Sequence, residues 1–404
     1  MKQLSKIMLA AVASVALAVP AFGWDFGASG SSSATYKRST TNSGVAGAKD
    51  TVANGVTSSG GGVTISSSNT DGANSATFSY TADWNGDDGN FDEYVSVSGS
   101  KKVGNWTASS ATTQHIQKDI GPGNDDASAN AAPMGGGASA VITLTDGSIT
   151  YKLGDAAHLS SAEKAVNGPM GGAQDAEARV AGFNGFSVGL GVGPGTLTVA
   201  IDEGSGAAPT ALGEDNTGIA CGSQAMGFGF NFSGDVGADL SFTYGSSSAS
   251  ADTATCTGDN ATNAATANTM GLGVAIPIGG MSLALDYESS GTTNTAATVE
   301  TVTAQSGFEI SFTMPLSDAT VGLNVSAHAN EKTTGGVVKA LGASAGTELW
   351  YTVPIGPVSL SVGYGSSATA KGCAACVNAT TGAAETTVES KVVTEMGAEM
   401  SMSF

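Results

Sequence analysis

The sequence predicts an all-β chain: a transmembrane antiparallel β-barrel of about 18 strands, with 16 as the alternative count. Three observations predict it. Short stretches alternate apolar and polar residues with period two, as in MGAEMSMSF at 396–404, which is the spacing of a strand whose two faces meet different solvents. Very short Gly/Pro turns alternate with long polar segments, giving a series of hairpins with unlike ends. After residue 23 no apolar stretch approaches 18 residues, so helical spans are excluded while strand spans are not.

The first 23 residues, MKQLSKIMLAAVASVALAVPAFG, hold Lys2 and Lys6, an uncharged run from Ile7 to Val19, and small residues near Ala21-Phe22-Gly23. That is the pattern of a secretory signal peptide, too short to span a bilayer as a helix. The expected division is a signal at 1–23 and a barrel at 24–404. WDFGASGSSSATYK reads as the first strand, leading to a loop at 39–60. GGVTISSS and ATFSYTADWN flank a turn at Asp71-Gly72. FDEYVSVSGS and NWTASSATTQHI flank KKVGN, and SAVITLT and SITYKLG flank Asp146-Gly147.

From Phe186 the unit becomes regular. FSVGLGV turns at GPG into TLTVAID, MGFGFNF at SGDVG into ADLSFTY, and TMGLGVAI at PIGG into MSLALDY. FEISFT turns at MPLSDA into TVGLNVSAH, and TELWYTV at PIGP into VSLSVGY. Gly and Pro supply the backbone freedom or fixed φ that tight turns need. The last strand stands alone, free to return and pair with the first. Such a return removes the unpaired edges that lipid does not tolerate, which explains a chain ending on Phe404.

One face of these strands is apolar, with Leu283/Leu285/Tyr287, Phe308/Ile310/Phe312 and Val321/Leu323/Val325. The other carries Asp286/Glu288, Glu309/Ser311 and Asn324/Ser326/His328. Tyr244, Tyr287 and Tyr364 recur near strand ends, where a membrane interface places aromatics.

The chain has 15 basic and 35 acidic residues; without Lys2 and Lys6 the balance is 13 − 35 = −22. Such a charge disfavours nucleic acid and anionic lipid headgroups as partners and attracts cations. Asp83, Asp202, Asp286, Glu288, Glu309, Glu348, Glu395 and Glu399 fall on the lumen side by the strand reading, whereas Lys152 and His328 are among few inward cationic candidates. A wall lined with one sign of charge enriches counter-ions. A phosphate-selective pore would need a Lys/Arg ladder, which is absent.

Cys221, Cys256, Cys373 and Cys376 suit an oxidising compartment and disulfide bonding. Of three connectivities, loop adjacency favours Cys221–Cys256 and local proximity Cys373–Cys376. No histidine follows Cys376 and no second CxxC exists, so neither metal nor cofactor is expected. Gly342-Ala343-Ser344-Ala345-Gly346 matches G-x-S-x-G but lies in a predicted loop without strand–turn–helix context. DWNGDDGNFDE at 83–93 spaces Asp83, Asn85 and Asp87 like a calcium loop, but Gly89 comes one place late and position twelve is Tyr94. With only three histidines and no catalytic pairing, the chain is not expected to be an enzyme.

On the signal, the hairpin series and MGAEMSMSF with its terminal Phe404, the chain resembles the general diffusion porins of Gram-negative outer membranes. The resemblance implies a water-filled channel in the bacterial outer membrane, probed by small hydrophilic solutes and cations, embedded in outer-membrane lipid and assembled as a homotrimer. It implies that Phe404, Met402 and Met400 form the signal read by the barrel-insertion machinery, with Met402 standing where an aromatic is more usual. GSITYKLGDAAHL at 147–159 looks like the strand leading into a porin's pore-narrowing loop. On that footing 155–184 folds inward and brings Asp155, Glu163, Lys164, Asp175, Glu177 and Arg179 to the lumen. The loop at 118–138, with Asp119, Asp125 and Asp126, is the rival. The family's arginine cluster has no counterpart beyond Arg38 and Arg179. The competing functional reading is a barrel-anchored surface or adhesive protein acting through its extracellular loops.

Overall fold

The computed structural model describes residues 24–44, 47–85, 90–117, 139–154, 159, 162–170, 185–202, 223–234, 237–249, 263–296, 299–334, 337–369 and 391–404. The expected signal at 1–23, Asp155, Asp175, Glu177, Arg179, all four cysteines and the loop 118–138 lie outside these residues.

Among the described residues there are eighteen strands: β1 (Asp25–Asn42), β2 (Thr51–Asp71), β3 (Asn74–Asn85), β4 (Asn90–Val103), β5 (Trp106–Gln117), β6 (Ser139–Thr145), β7 (Ile149–Gly154), β8 (Gly185–Val192) and β9 (Gly195–Asp202) come first. They are followed by β10 (Ser223–Gly234), β11 (Ala238–Ala249), β12 (Asn263–Ile278), β13 (Met281–Ala296), β14 (Val299–Leu316), β15 (Ala319–Thr334), β16 (Val337–Ile355), β17 (Val358–Thr369) and β18 (Lys391–Ser403). All belong to one sheet in which β1 pairs with both β2 and β18. From β2 to β7 and from β8 to β17 consecutive strands pair antiparallel, as in Asp286↔Glu309 between β13 and β14 and Asn324↔Glu348 between β15 and β16. Neighbour-to-neighbour antiparallel pairing with the last strand returned to the first is the pairing of a β-barrel. The count of 18 and the hairpin order follow the sequence expectation.

The strands are longer than the alternation suggests. β2 takes in 51–60, expected as part of the first loop, and β16 starts at Val337 and contains the whole of 342–346. The G-x-S-x-G match is therefore extended strand. β13 runs to Ala296 and β14 begins at Val299, so most of the Thr/Ser/Asn-rich stretch between MSLALDY and FEISFT is hairpin stem.

The chain divides into two compact units, one of Met1–Ala34, Ser58–Gly154 and Ser401–Phe404, the other of Thr35–Thr57 and Asp155–Met400. In the first, one face is a ladder of hydroxyl pairs across strands: Ser75–Ser100 at 2.7 Å, Ser96–Thr113 at 2.8 Å and Thr64–Thr81 at 2.9 Å. The other face exposes Phe78, Trp84 and Val97. The turn between β6 and β7 is built by Asp146, whose Oδ1 accepts the N–H groups of Ser148 and Ile149, both at 2.8 Å. Gly147 at φ 93° supplies a backbone shape that L side chains rarely adopt. Those two bonds stabilise the carboxylate and hold the Asp146 pKa below its ordinary value, Ile149 contributing most. At the chain end the Gly30 N–H donates to the Phe404 carbonyl at 2.7 Å, and the Phe404 N–H donates back at 2.9 Å. The Phe404 ring covers Gly30, where a Cβ would lie 2.5 Å from a ring carbon. The terminal strand is thus paired to its last residue.

The second unit inverts the usual soluble pattern. Along β14 and β15 the polar residues are buried and the apolar ones exposed: Asn324 is 0% accessible and its neighbour Leu323 43%. Leu285, Ile310, Val325, Leu349 and Val362 share the exposed face, while Ser311, Ser326, Asp286, Glu309 and Glu348 share the buried one. A sheet that leaves its aliphatic side open is one whose outer solvent is hydrocarbon.

Candidate functional site

What buries the polar face is the segment 162–170, AEKAVNGPM, which carries no regular secondary structure. It lies in the second unit and is fastened through its own backbone. The Asp286 carboxylate on β13 accepts the Lys164 N–H at 2.8 and 2.9 Å and the Ala165 N–H at 2.6 Å. Ser311 Oγ on β14 accepts the Val166 N–H at 2.9 Å. Glu348 on β16 accepts the Gly168 N–H at 3.1 Å and the Met170 N–H at 2.5 Å. Bonds from N–H groups to carboxylates are about twice as strong as neutral ones, and here they replace the pairing that an irregular backbone lacks.

Asn324 on β15 sits between these anchors. Its Nδ2 donates to Val166 O at 3.1 Å, to Asn167 Oδ1 at 2.5 Å and to Glu309 Oε1. An amide nitrogen has two hydrogens, so it is shared among three acceptors and couples the segment to Glu309. Further along, Lys37 on β1 donates from Nζ to the Met170 carbonyl at 3.1 Å and lies 3.7 Å from Glu395 on β18. Thr35 Oγ1 donates to Glu399 at 3.0 Å.

The seat is cut from glycine. A Cβ on Gly273 would stand 1.7 Å from the Ala162 carbonyl oxygen, and one on Gly363 would stand 2.8 Å from Met170 Cγ. Within the segment, a Cβ on Gly168 would meet Glu348 Oε1 at 2.5 Å and Trp350 at 2.7 Å. Leu159, Ala162, Ala165 and Met170 are buried, whereas Val166 is exposed.

Of the sequence-derived acidic residues, Asp286 and Glu348 bind the segment directly and Glu309 is linked to it through Asn324, while Glu163 and Lys164 lie half-buried on the segment itself. Glu288, two residues along β13 from Asp286, lies 3.5 Å from His328 Nδ1 and 3.5 Å from Gln305 Nε2. Sequence reasoning missed Asn324, Ser311 and Lys37 as partners of the segment, and Gly168, Gly273 and Gly363 as its clearance. An Asn flanked by aliphatics in GLNVS was the available signal; the glycines carried none, being common throughout the chain.

In the first unit Asp83 and Asp92, drawn from the calcium-like stretch, face each other in register on β3 and β4. Tyr94 Oη donates to Asp83 Oδ2 at 3.2 Å. Among the described residues, no group of three or more acidic, His or Cys side chains is placed to hold a metal.

No family model matches the sequence, and no curated protein matches it. The chain is similar to outer-membrane porins. The solved structures it resembles include the anion-selective porin from Comamonas acidovorans, at 14% identity and TM-score 0.44 over 94% of this chain and 100% of that one. Outer-membrane expressed OmpT of Vibrio cholerae shows 10% identity and TM-score 0.45 over 95% and 98%. A mutant Rh. blastica porin shows 12% identity and TM-score 0.42 over 94% and 100%. It is the strand pairing described above, rather than these superpositions, that establishes the fold.

Proposed function

We propose that the chain is an outer-membrane channel for passive diffusion of small hydrophilic solutes, narrowed by the inward segment around 162–170. The observation that carries this reading is the segment's attachment: irregular backbone lies on the polar face of a sheet whose apolar face is open. At membrane depth such backbone is tolerated only where protein or a water-filled cavity satisfies it. The channel performs no covalent chemistry, so it is not an enzyme, and it assembles as a homotrimer in the bacterial outer membrane.

Cation preference belongs to the same proposal, with a division of labour. Asp286, Glu309 and Glu348 hold the segment, so their charge is engaged by N–H and amide groups. The net negative charge of the lumen side as a whole is proposed to enrich cations, with Glu163 and Glu288 among its carboxylates. Asp155, Asp175, Glu177 and Arg179 are proposed to flank the constriction, and Phe404, Met402 and Met400, exposed on one side of β18, to serve in assembly.

The test is planar-bilayer conductance of the refolded chain under a salt gradient. Discrete steps with a reversal potential favouring cations are expected. A folded barrel that inserts but passes no current would refute the channel, and an anion-favouring potential would refute the selectivity alone.

A further inference from the structure

Two adjacent basic residues on β1 serve opposite faces. Lys37 reaches across the polar face to Met170 and Glu395. Arg38 is exposed, on the side of Tyr36 and Met396. Beside it lies a groove of about 670 Å³ whose walls include Tyr36, Leu349, Val362, Tyr364 and Met396. Every one of these side chains is exposed on the apolar face of the second unit.

We propose that this groove binds a phosphate-bearing membrane lipid, with an acyl chain against Leu349, Val362 and Met396 and the phosphate on the Arg38 guanidinium. The inference rests on the reading of this face as lipid-facing. It goes beyond that reading in assigning a discrete site to one place on the face.

Three features of the groove point to this occupant. Its walls are aliphatic and aromatic, which suits an alkyl chain rather than a polar solute. Arg38 makes no ion pair with a carboxylate among the described residues, although the chain carries 35 acidic residues. Its planar fork of donors matches two phosphate oxygens at once. Tyr36 and Tyr364 line the same groove as Arg38, and amphipathic rings together with a basic residue are the arrangement found at headgroup level. A groove lined by apolar side chains, two phenols and a guanidinium therefore presents the two halves of one lipid molecule with their complements. The occupant is a lipid rather than free phosphate, because the groove adds apolar contact that an inorganic ion cannot use.

The experiment measures lipid retained by the full chain, purified in neutral detergent and given dioleoyl phosphatidylglycerol or dioleoylglycerol, which lacks the phosphate. Retention of the phosphatidyl lipid is expected to exceed that of dioleoylglycerol about tenfold. R38Q is expected to abolish that preference, R38K to keep part of it, and V362W, which fills the groove without touching charge, to lower retention of both lipids. Excess inorganic phosphate is expected not to displace the lipid. Equal retention of the two lipids, or retention unchanged in R38Q and V362W, overturns the proposal. So does displacement by inorganic phosphate alone, or a groove found cross-linked to a second copy of the chain. Conductance of R38Q is read in parallel: steps like those of the unaltered chain with no lipid preference would sink this inference and leave the channel standing. Absence of steps in the unaltered chain is a failure of the channel instead.

Discussion

Glu348 offers the sharpest discrimination between two roles for a carboxylate in this fold. If it is an anchor, its loss frees a backbone segment; if it is a lining charge, its loss changes only which ions pass. The structure favours the anchor: Glu348 is 1% accessible and accepts the N–H groups of Gly168 and Met170 at 3.1 and 2.5 Å. Changing Glu348→Gln keeps the length and removes the charge. The amide oxygen still accepts one N–H, but the NH₂ group now opposes the other donor. One charge-assisted bond is then lost and the second weakened to a neutral one, costing about 2–3 kcal/mol. At about 1.4 kcal/mol per tenfold change, the detached state of the 168–170 stretch rises roughly 30- to 140-fold. Hydrogen exchange at the Gly168 and Met170 amides reads this directly, with loss of protection by that factor expected. The barrel's overall unfolding should change little, since the strands keep their ladders. Unchanged exchange at both amides, together with a shifted reversal potential, would refute the anchoring argument and return Glu348 to the role of a lining charge.

Two further outcomes follow from the same geometry. Gly273→Val places a side chain where a Cβ alone would stand 1.7 Å from the Ala162 carbonyl oxygen; unit conductance should rise and the Lys164 amide lose protection, and an unaltered conductance would count against a seated segment. Asp146 has its pKa lowered in the folded chain by the Ile149 and Ser148 N–H groups, so its contribution to stability is present above its unfolded value near 4 and is lost as pH falls through the folded one. Asp146→Asn should therefore flatten the decline of the urea midpoint between pH 5 and pH 2, relative to the unaltered chain, and an identical decline in both would show the turn to be irrelevant.

The sheet was legible because its signal is contrast. Where Leu285 alternates with Asp286, or Ile310 with Glu309, each residue names its face, and the strands of these hairpins fall where the alternation places them. Contrast fails at Thr292, Thr293 and Asn294, which are strand residues with no apolar neighbour to alternate with; such stretches read as loop. Gly342–Gly346 failed for the same reason, being small on both faces. The site was half legible. An inward segment near 155–184 was expected, and acidic residues on the facing strands were picked out. Their use was not, because a carboxylate that accepts backbone N–H groups leaves no trace in the sequence of what it holds. Asn324 was passed over as one polar position among many, although it is among the most deeply buried.

The attachment of 162–170 is made mostly by main-chain groups, above all N–H groups, which every residue but proline possesses. Its hold is therefore least demanding at the exposed Val166, and most demanding at the buried Ala162, Ala165 and Met170 and at Gly168, where clearance is needed. Such a join lets a lineage or an engineer rewrite the chemistry facing the passage one residue at a time while the mounting stays fixed. Selectivity becomes an exchangeable cartridge on a constant frame, and new charge patterns can be tried without first re-solving how the insert is held.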